Sequence, residues 1–271
     1  MTVPIETLHL FPELDRRLIE LLRSLSAEEW NKQTLARQWT VKDIAAHLLD
    51  GNIRTLSMIG DGYAGEKPGQ ISSHKDLVDF LNRLNADWVK AMKRVSPSQL
   101  IVLLELTGKP YHECLKTLPS FDEALFSVGW AGEEHSQNWF HIAREFTEKW
   151  HHQQQIREAV NKPGNMEPEF FSPLIRTFMQ ALPHTYRHTM APENTSVHVR
   201  VGNDQWTLVL KNHKWKFDVS DSPAVQIEIE PDTAWKLFTK GISREQAEQK
   251  IIFKGDKKLG EPVLSMVSVM A

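Results

Sequence analysis

Cysteine is almost missing from this chain: Cys114 stands alone among 271 residues. No disulfide can therefore form within it, and a cystine framework is excluded as the source of its stability. A surplus of one charge sign is missing too. The formal net charge is -3 and the sequence pI is near 6.5. No dense run of lysine and arginine appears, so the electrostatic footprint of a nucleic-acid binder is absent. No apolar run approaches the length that spans a bilayer. The opening stretch MTVPIETLHLFPELDRRLIE is charged throughout, without the apolar core of a secretory signal. Internal repeats and low-complexity tracts are also lacking. Together these absences predict a soluble, cytoplasmic protein whose partner is a small molecule, with neither nucleic acid nor membrane involved.

What is present divides in two. The length favours two domains over one core, and the sharpest break is NKPGNMEP, where two prolines and a glycine interrupt a helical pattern. We place a helical domain over residues 1–162 and an α+β domain over 168–271. In the first, Leu14, Leu18, Leu21, Leu22 and Leu25 share one helical face. Thr40 with Asp43 reads as a capping box opening a helix that carries Ile44, His47 and Leu48, and Ser73 with Asp76 opens another. Ser96-Pro97 reads as an N-cap with proline at the first helical position of a shorter segment. A loop is expected around 111–119, and the longest helix from about Glu133 to Val160. Polar caps and long helices without a strand pattern predict a four-helix bundle.

Beyond the break, after one further helical run (FFSPLIRTFMQAL), alternation takes over. Val197, Val199 and Val201 alternate in TSVHVRV, GND supplies a turn into QWTLVL, KWKFDV follows, and Val225, Ile227 and Ile229 alternate in AVQIEIE. Helices are expected at 231–239 and after Ser243, whose partner Gln246 completes a capping box. A largely antiparallel sheet covered by helices on one face follows from this pattern.

Chemistry concentrates in EKWHHQQQIR, residues 148–157. Residues four apart on a helix differ by about 40° around its axis, so Glu148 and His152 project together while His151 is turned away. A carboxylate and an imidazole at this spacing make half of a metal site. The third ligand must come from another helix, and His47 in the apolar context DIAAHLLD is the candidate. Such a pair is also a common helix-surface interaction. His141 and Glu145 repeat the spacing upstream, as a ligand pair, an orienting pair or a solvated face. His112 and His135 have no such pattern. The three glutamines 153–155 read as helix surface with a hydrogen bond or two near the cleft, and Cys114 reads as a small core residue between helices.

WTVKDIAAHLLDGNIRTL and REFTEKWHHQQQIREAV together resemble the DinB/YfiT-like metalloenzyme superfamily, in its mycothiol-dependent maleylpyruvate isomerase N-terminal branch. The first motif is similar to that branch's tryptophan, VxDIxxH segment and metal histidine, here Trp39 and His47. The second is similar to its glutamate and histidine, here Glu148 and His152. The resemblance covers roughly residues 10–160. It implies a divalent metal, zinc or nickel, and a low-molecular-weight thiol used for cis–trans isomerisation or S-transfer; a hydrolase would use the same ligands without a thiol. The second half is similar to a sterol-carrier-like domain, which implies the further reading of a non-catalytic apolar pocket lined by some of Trp206, Trp215, Phe217 and Trp235. No arginine follows Arg244, whereas the isomerase branch places a basic residue in its C-terminal domain for an acidic substrate. A homodimer through the bundle faces is compatible with the pattern.

Overall fold

A computed structural model describes residues 2–70 and 72–269. The chain forms two compact units. One holds the residues up to Asp122 together with Glu148–Asn165, and the other holds Glu123–Thr147 and Met166–Val269. Each is described on its own.

The first unit is helical. Its elements are α1 (Phe11–Arg23), α2 (Val41–Thr55), α3 (His74–Met92), α4 (Pro97–Lys116) and, from Glu148 onward, the rest of α5 (Asn138–Val160). The Thr40–Asp43 capping box forms in full, with the Thr40 hydroxyl accepting from the Asp43 amide and the Asp43 carboxylate accepting from the Thr40 amide. At α3 the Ser73 hydroxyl accepts from the Asp76 amide, and the Asp76 carboxylate accepts from the Ser72 amide. Ser96 caps α4, with Pro97 at its start. That helix corrects two expectations. It is not a short segment followed by a loop but runs through Pro110 to Lys116, so Tyr111 and Cys114 are helical. A proline costs a helix one hydrogen bond; here buried Leu104, Tyr111, Cys114 and Leu115 hold the turns on either side of it.

Helices α1, α2 and α4 pack together around Leu18, Leu22, Ile44, Leu49, Leu100 and Leu104, and Ile156 and Val160 of α5 join the same core. Polar contacts then set the rotation of α5. Lys149 pairs with Asp15 at 2.9 Å, Gln153 donates to the Leu14 carbonyl, and the indole of Trp150 donates to the Asn165 carbonyl. The helix stops at Asn161, which adopts the left-handed conformation at φ 54. At its other end α5 begins at Asn138, later than the expected Glu133, since 133–136 are irregular and Gln137 forms an isolated antiparallel bridge with Glu123.

The second unit carries a five-stranded sheet: β1 (Ser196–Val201), β2 (Asp204–Lys211), β3 (Lys214–Phe217), β4 (Val225–Ile229) and β5 (Ile252–Gly255), in the order β3-β2-β1-β4-β5. All neighbours are antiparallel except β1 and β4, which run parallel. The alternating valines and isoleucines of β1 and β4 are buried as a set. Helix α6 (Pro168–Phe178) contacts β2, and α7 (Leu182–Tyr186) contacts β3. After β4 come α8 (Pro231–Phe238) and α9 (Arg244–Glu248), whose Ser243–Gln246 capping box is complete, and after β5 comes α10 (Lys257–Gly260), which contacts β4. Among the described residues no helix is long and apolar enough to cross a membrane.

Candidate metal centre

The α2 cap fixes where that helix begins, and with it the side on which His47 emerges. The contacts of Lys149 and Gln153 with α1 leave Glu148 and His152 on a different side of α5. The result is a cluster of His47, Glu148 and His152 whose potential ligand atoms all lie within 4.8 Å of one another. The two imidazole rings stand nearly perpendicular with centroids 4.7 Å apart, and Nε2 of His152 is 3.5 Å from the Glu148 carboxylate. Trp39 packs its indole 4.7 Å from the His47 ring and 6.1 Å from that of His152, forming one wall.

Electrostatics keep all of this ready for a cation. Burial above all, with His152, His151 and Arg54 outweighing the opposite pull of Glu148, brings the His47 imidazole down to about 3. Burial alone would raise Glu148, but His151, His152 and His47 together bring its carboxyl down to about 2. The Glu148 side chain as a whole retains 29% exposure. Nδ1 of His47 is buried with no hydrogen-bond partner. Such an orphaned atom is uncommon in a folded protein, and a bound ion would engage it or complete the ring's surroundings. Two imidazoles and a carboxylate form a donor set suited to zinc or nickel, leaving positions for exogenous ligands. The residues present fit a divalent metal.

Other residues weighed from the sequence lie elsewhere. His141 is buried, but its Nδ1 accepts from Arg144 at 2.7 Å, and Arg144 also pairs with Glu145. Neither residue belongs to the cluster. His135 makes an exposed contact with Glu123. Cys114 is buried in α4, where burial raises its thiol pKa, the opposite of a reactive cysteine. Trp215 and Trp235 are buried in the sheet unit with their indole N–H groups satisfied by the Thr189 carbonyl and the Asp232 carboxylate. They are core residues in the ordinary sense. The glutamines correct a further expectation: Gln153, Gln154 and Gln155 are all buried rather than on the helix surface. Gln155 in particular contacts His152 and was missed as a site residue. Its signal was the i,i+3 spacing from the histidine. Trp39 had no such signal beyond its place in the family motif, since a cap turn separates it from His47.

A helical unit with a His/Glu/His cluster on two of its helices, joined in one chain to a small mixed-sheet unit, defines a class of two-unit proteins with a candidate metal centre. Residues 11–157, more than half of the chain, match the family model described as mycothiol maleylpyruvate isomerase N-terminal domain, and the chain belongs to that family. Among solved structures, a histidine-to-alanine variant of the mycothiol-dependent maleylpyruvate isomerase superposes with a TM-score of 0.56 at 10% identity, covering 91% of each chain. The structure titled as the mycothiol-dependent maleylpyruvate isomerase gives 0.53 at 12% identity, over 85% of this chain and 86% of that one. These likenesses establish a shared two-part fold. Sterol Carrier Protein 2 Like 2 from Aedes aegypti aligns with 34% of this chain and 95% of its own at 16% identity, and its TM-score of 0.26 is too low to carry an argument. No curated protein matches the chain.

Proposed function

We propose that this protein is a metal-dependent enzyme that uses a low-molecular-weight thiol to isomerise a cis double bond in a small electrophilic substrate, with His47, Glu148 and His152 as the metal ligands. The observation that carries the reading is the convergence of His47 with Glu148 and His152 from two motifs far apart in the chain. Family membership and the fold shared with maleylpyruvate isomerase support the choice of isomerase over hydrolase. Zinc is the ion the donor set fits best.

When bound, the ion supplies Lewis acidity that lowers the pKa of a coordinated thiol toward neutrality. The chain's own residues prepare for it. His47 stays neutral and Glu148 anionic throughout the physiological range, so no proton has to leave either before a cation binds. Trp39 covers the two rings with an apolar surface, which limits their rotation and keeps water away from that side. The organic step balances without an external oxidant: thiolate adds to one alkene carbon, the electron pair moves onto the substrate's carbonyl system, the former double bond rotates, and expulsion of the same thiolate restores the alkene in trans geometry. We also propose that the helical domain spans residues 1–162 and the α+β domain 168–271, with the metal chemistry confined to the former.

The test is elemental analysis of the purified protein followed by an isomerisation assay on cis-configured maleyl compounds, with and without mycothiol or another small thiol. About one zinc per chain and turnover that requires both thiol and metal are expected. Turnover of a maleyl ester or amide to products of hydrolysis without added thiol would replace this reading with a hydrolase.

A further inference from the structure

Two histidines face the same cluster, yet they are held in different ways. His47 has no hydrogen-bond partner at Nδ1 and is confined by the Trp39 indole. His152 is fixed by a specific contact: its Nδ1 lies 2.9 Å from Oε1 of Gln155, which is buried one turn further along α5. An amide oxygen only accepts, so the ring must donate from Nδ1. With the Nδ1 proton committed to Gln155, Nε2 is the nitrogen left for the cluster, 3.5 Å from the Glu148 carboxylate; while the site is empty it can carry a proton toward that carboxylate, and a cation would replace that proton and meet a bare lone pair. From this we infer that Gln155 is a positioning residue: it selects the Nδ1–H tautomer of His152 and so aims the Nε2 lone pair into the cluster.

The local chemistry explains why glutamine serves here. In water the two neutral tautomers of imidazole are of similar stability, whereas a single buried hydrogen bond of ordinary strength biases them by about tenfold. Spacing of i,i+3 puts residue 155 beside the ring of residue 152 on the helix surface. Glutamine's length then lets the oxygen reach Nδ1 without unwinding the helix. Its neighbour Gln153 reaches instead to the Leu14 carbonyl, Arg157 and Asn165, a purely architectural set of partners. Glutamines two residues apart therefore divide the work, one anchoring the helix to α1 and the other orienting His152. The consequence for metal affinity rests on the proposed metal reading; the Nδ1–H bond to Gln155 does not.

The experiment uses the full-length protein labelled with 15N-histidine, read by long-range 1H–15N correlation after chelator treatment and again during zinc titration. Comparison with His152→Gln identifies the His152 resonances. The wild type should show a protonated Nδ1 on His152 both without metal and with zinc, and a bare Nε2 once zinc is bound. Gln155→Met, similar in size but without an acceptor, should lose the fixed Nδ1–H signature and bind zinc about 10- to 100-fold more weakly. Gln155→Glu, which keeps an acceptor oxygen, should restore the Nδ1–H signature and most of the affinity. A purely structural role would instead lower the thermal midpoint of both variants while leaving the tautomer alone. A bare Nδ1 on His152 in the wild type, or equal loss of affinity in the Met and Glu variants, would overturn the inference. Should the wild type take up no zinc while His152 keeps a Gln155-dependent Nδ1–H, the metal reading falls and the positioning of His152 stands.

Discussion

Helix α5 carries the same motif twice, a histidine and a glutamate four residues apart, with opposite outcomes. Upstream, His141 and Glu145 are both engaged by Arg144, whose positive guanidinium sits against the pair, while Nε2 of His141 is buried without a partner. Downstream, Glu148 and His152 meet a third ligand from α2, and the side chain that holds His152 is a neutral amide. Spacing on a helix makes a pair of ligands available, and the neighbour of each ring decides whether a cation is welcome. An arginine next to the imidazole opposes one by its charge, and a neutral glutamine does not.

The largest expected effect separates the two pairs directly. His47→Ala and His152→Ala should each weaken zinc binding by roughly a thousandfold, because a site of three protein ligands does not survive the loss of one. His141→Ala should leave it intact. Elemental analysis of the three variants beside the wild type decides this, and loss of metal in His141→Ala would erase the contrast between the pairs.

Next in size is the anchor that gives the downstream pair its direction. Lys149 is buried and its partner Asp15 is 20% exposed. Lys149→Met should therefore cost roughly 2 kcal/mol, at the low end for a buried pair, since Asp15 retains contact with water. It should also reduce zinc affinity although residue 149 touches no ligand position. Chemical denaturation read together with a zinc titration measures both, and an unchanged affinity would show that the core alone orients α5.

Acid should expose what the two pairs share. Burial lowers His47 from 6.5 to about 3 and, with Arg144, lowers His141 from 6.5 to about 4. As pH falls, the unfolded chain takes up these protons first, so the stability of the metal-free protein is greatest above 6.5 and is lost progressively toward 4 and 3. Glu148, lowered from 4.5 to about 2, adds a loss of the same sign further down. His141→Phe and His47→Phe should each flatten the slope of urea midpoint against pH in that window. Parallel slopes in wild type and variants would mean that neither imidazole is buried in its neutral form.

The smallest effect lies at the start of α2, which sets the position of His47. Thr40→Ala removes the hydroxyl of the capping box and should cost about 1 kcal/mol, with a correspondingly small weakening of zinc binding. Thermal unfolding with and without zinc would detect it, and Thr40→Ser should recover most of the loss.

Much of this was legible in the amino acids. The Thr40–Asp43 and Ser243–Gln246 boxes, the proline after Ser96 and the alternation in β1 and β4 each act over a few residues, and local chemistry is what a sequence displays. The three residues of the candidate cluster were legible for a related reason, since i,i+4 spacing on α5 and an isolated histidine in an apolar helix both limit the options sharply. The continuation of α4 past Pro110 was not, because the burial that compensates for the proline comes from residues distant in the chain. The parallel pairing of β1 with β4 was hidden too: alternation fixes which residues face inward but says nothing about strand direction.

Sequence by itself determined the helix starts, the inward faces of the strands and the chemical identity of the candidate ligands, all through interactions between near neighbours. Only the tertiary structure decided which of two equally spaced His/Glu pairs on α5 would face His47 and which would be engaged by arginine. It also decided that three polar glutamines would be buried. Those outcomes depend on the rotation of α5 about its axis, and that rotation is set by contacts of Lys149, Trp150 and Gln153 with residues as far away in the chain as Leu14 and Asp15.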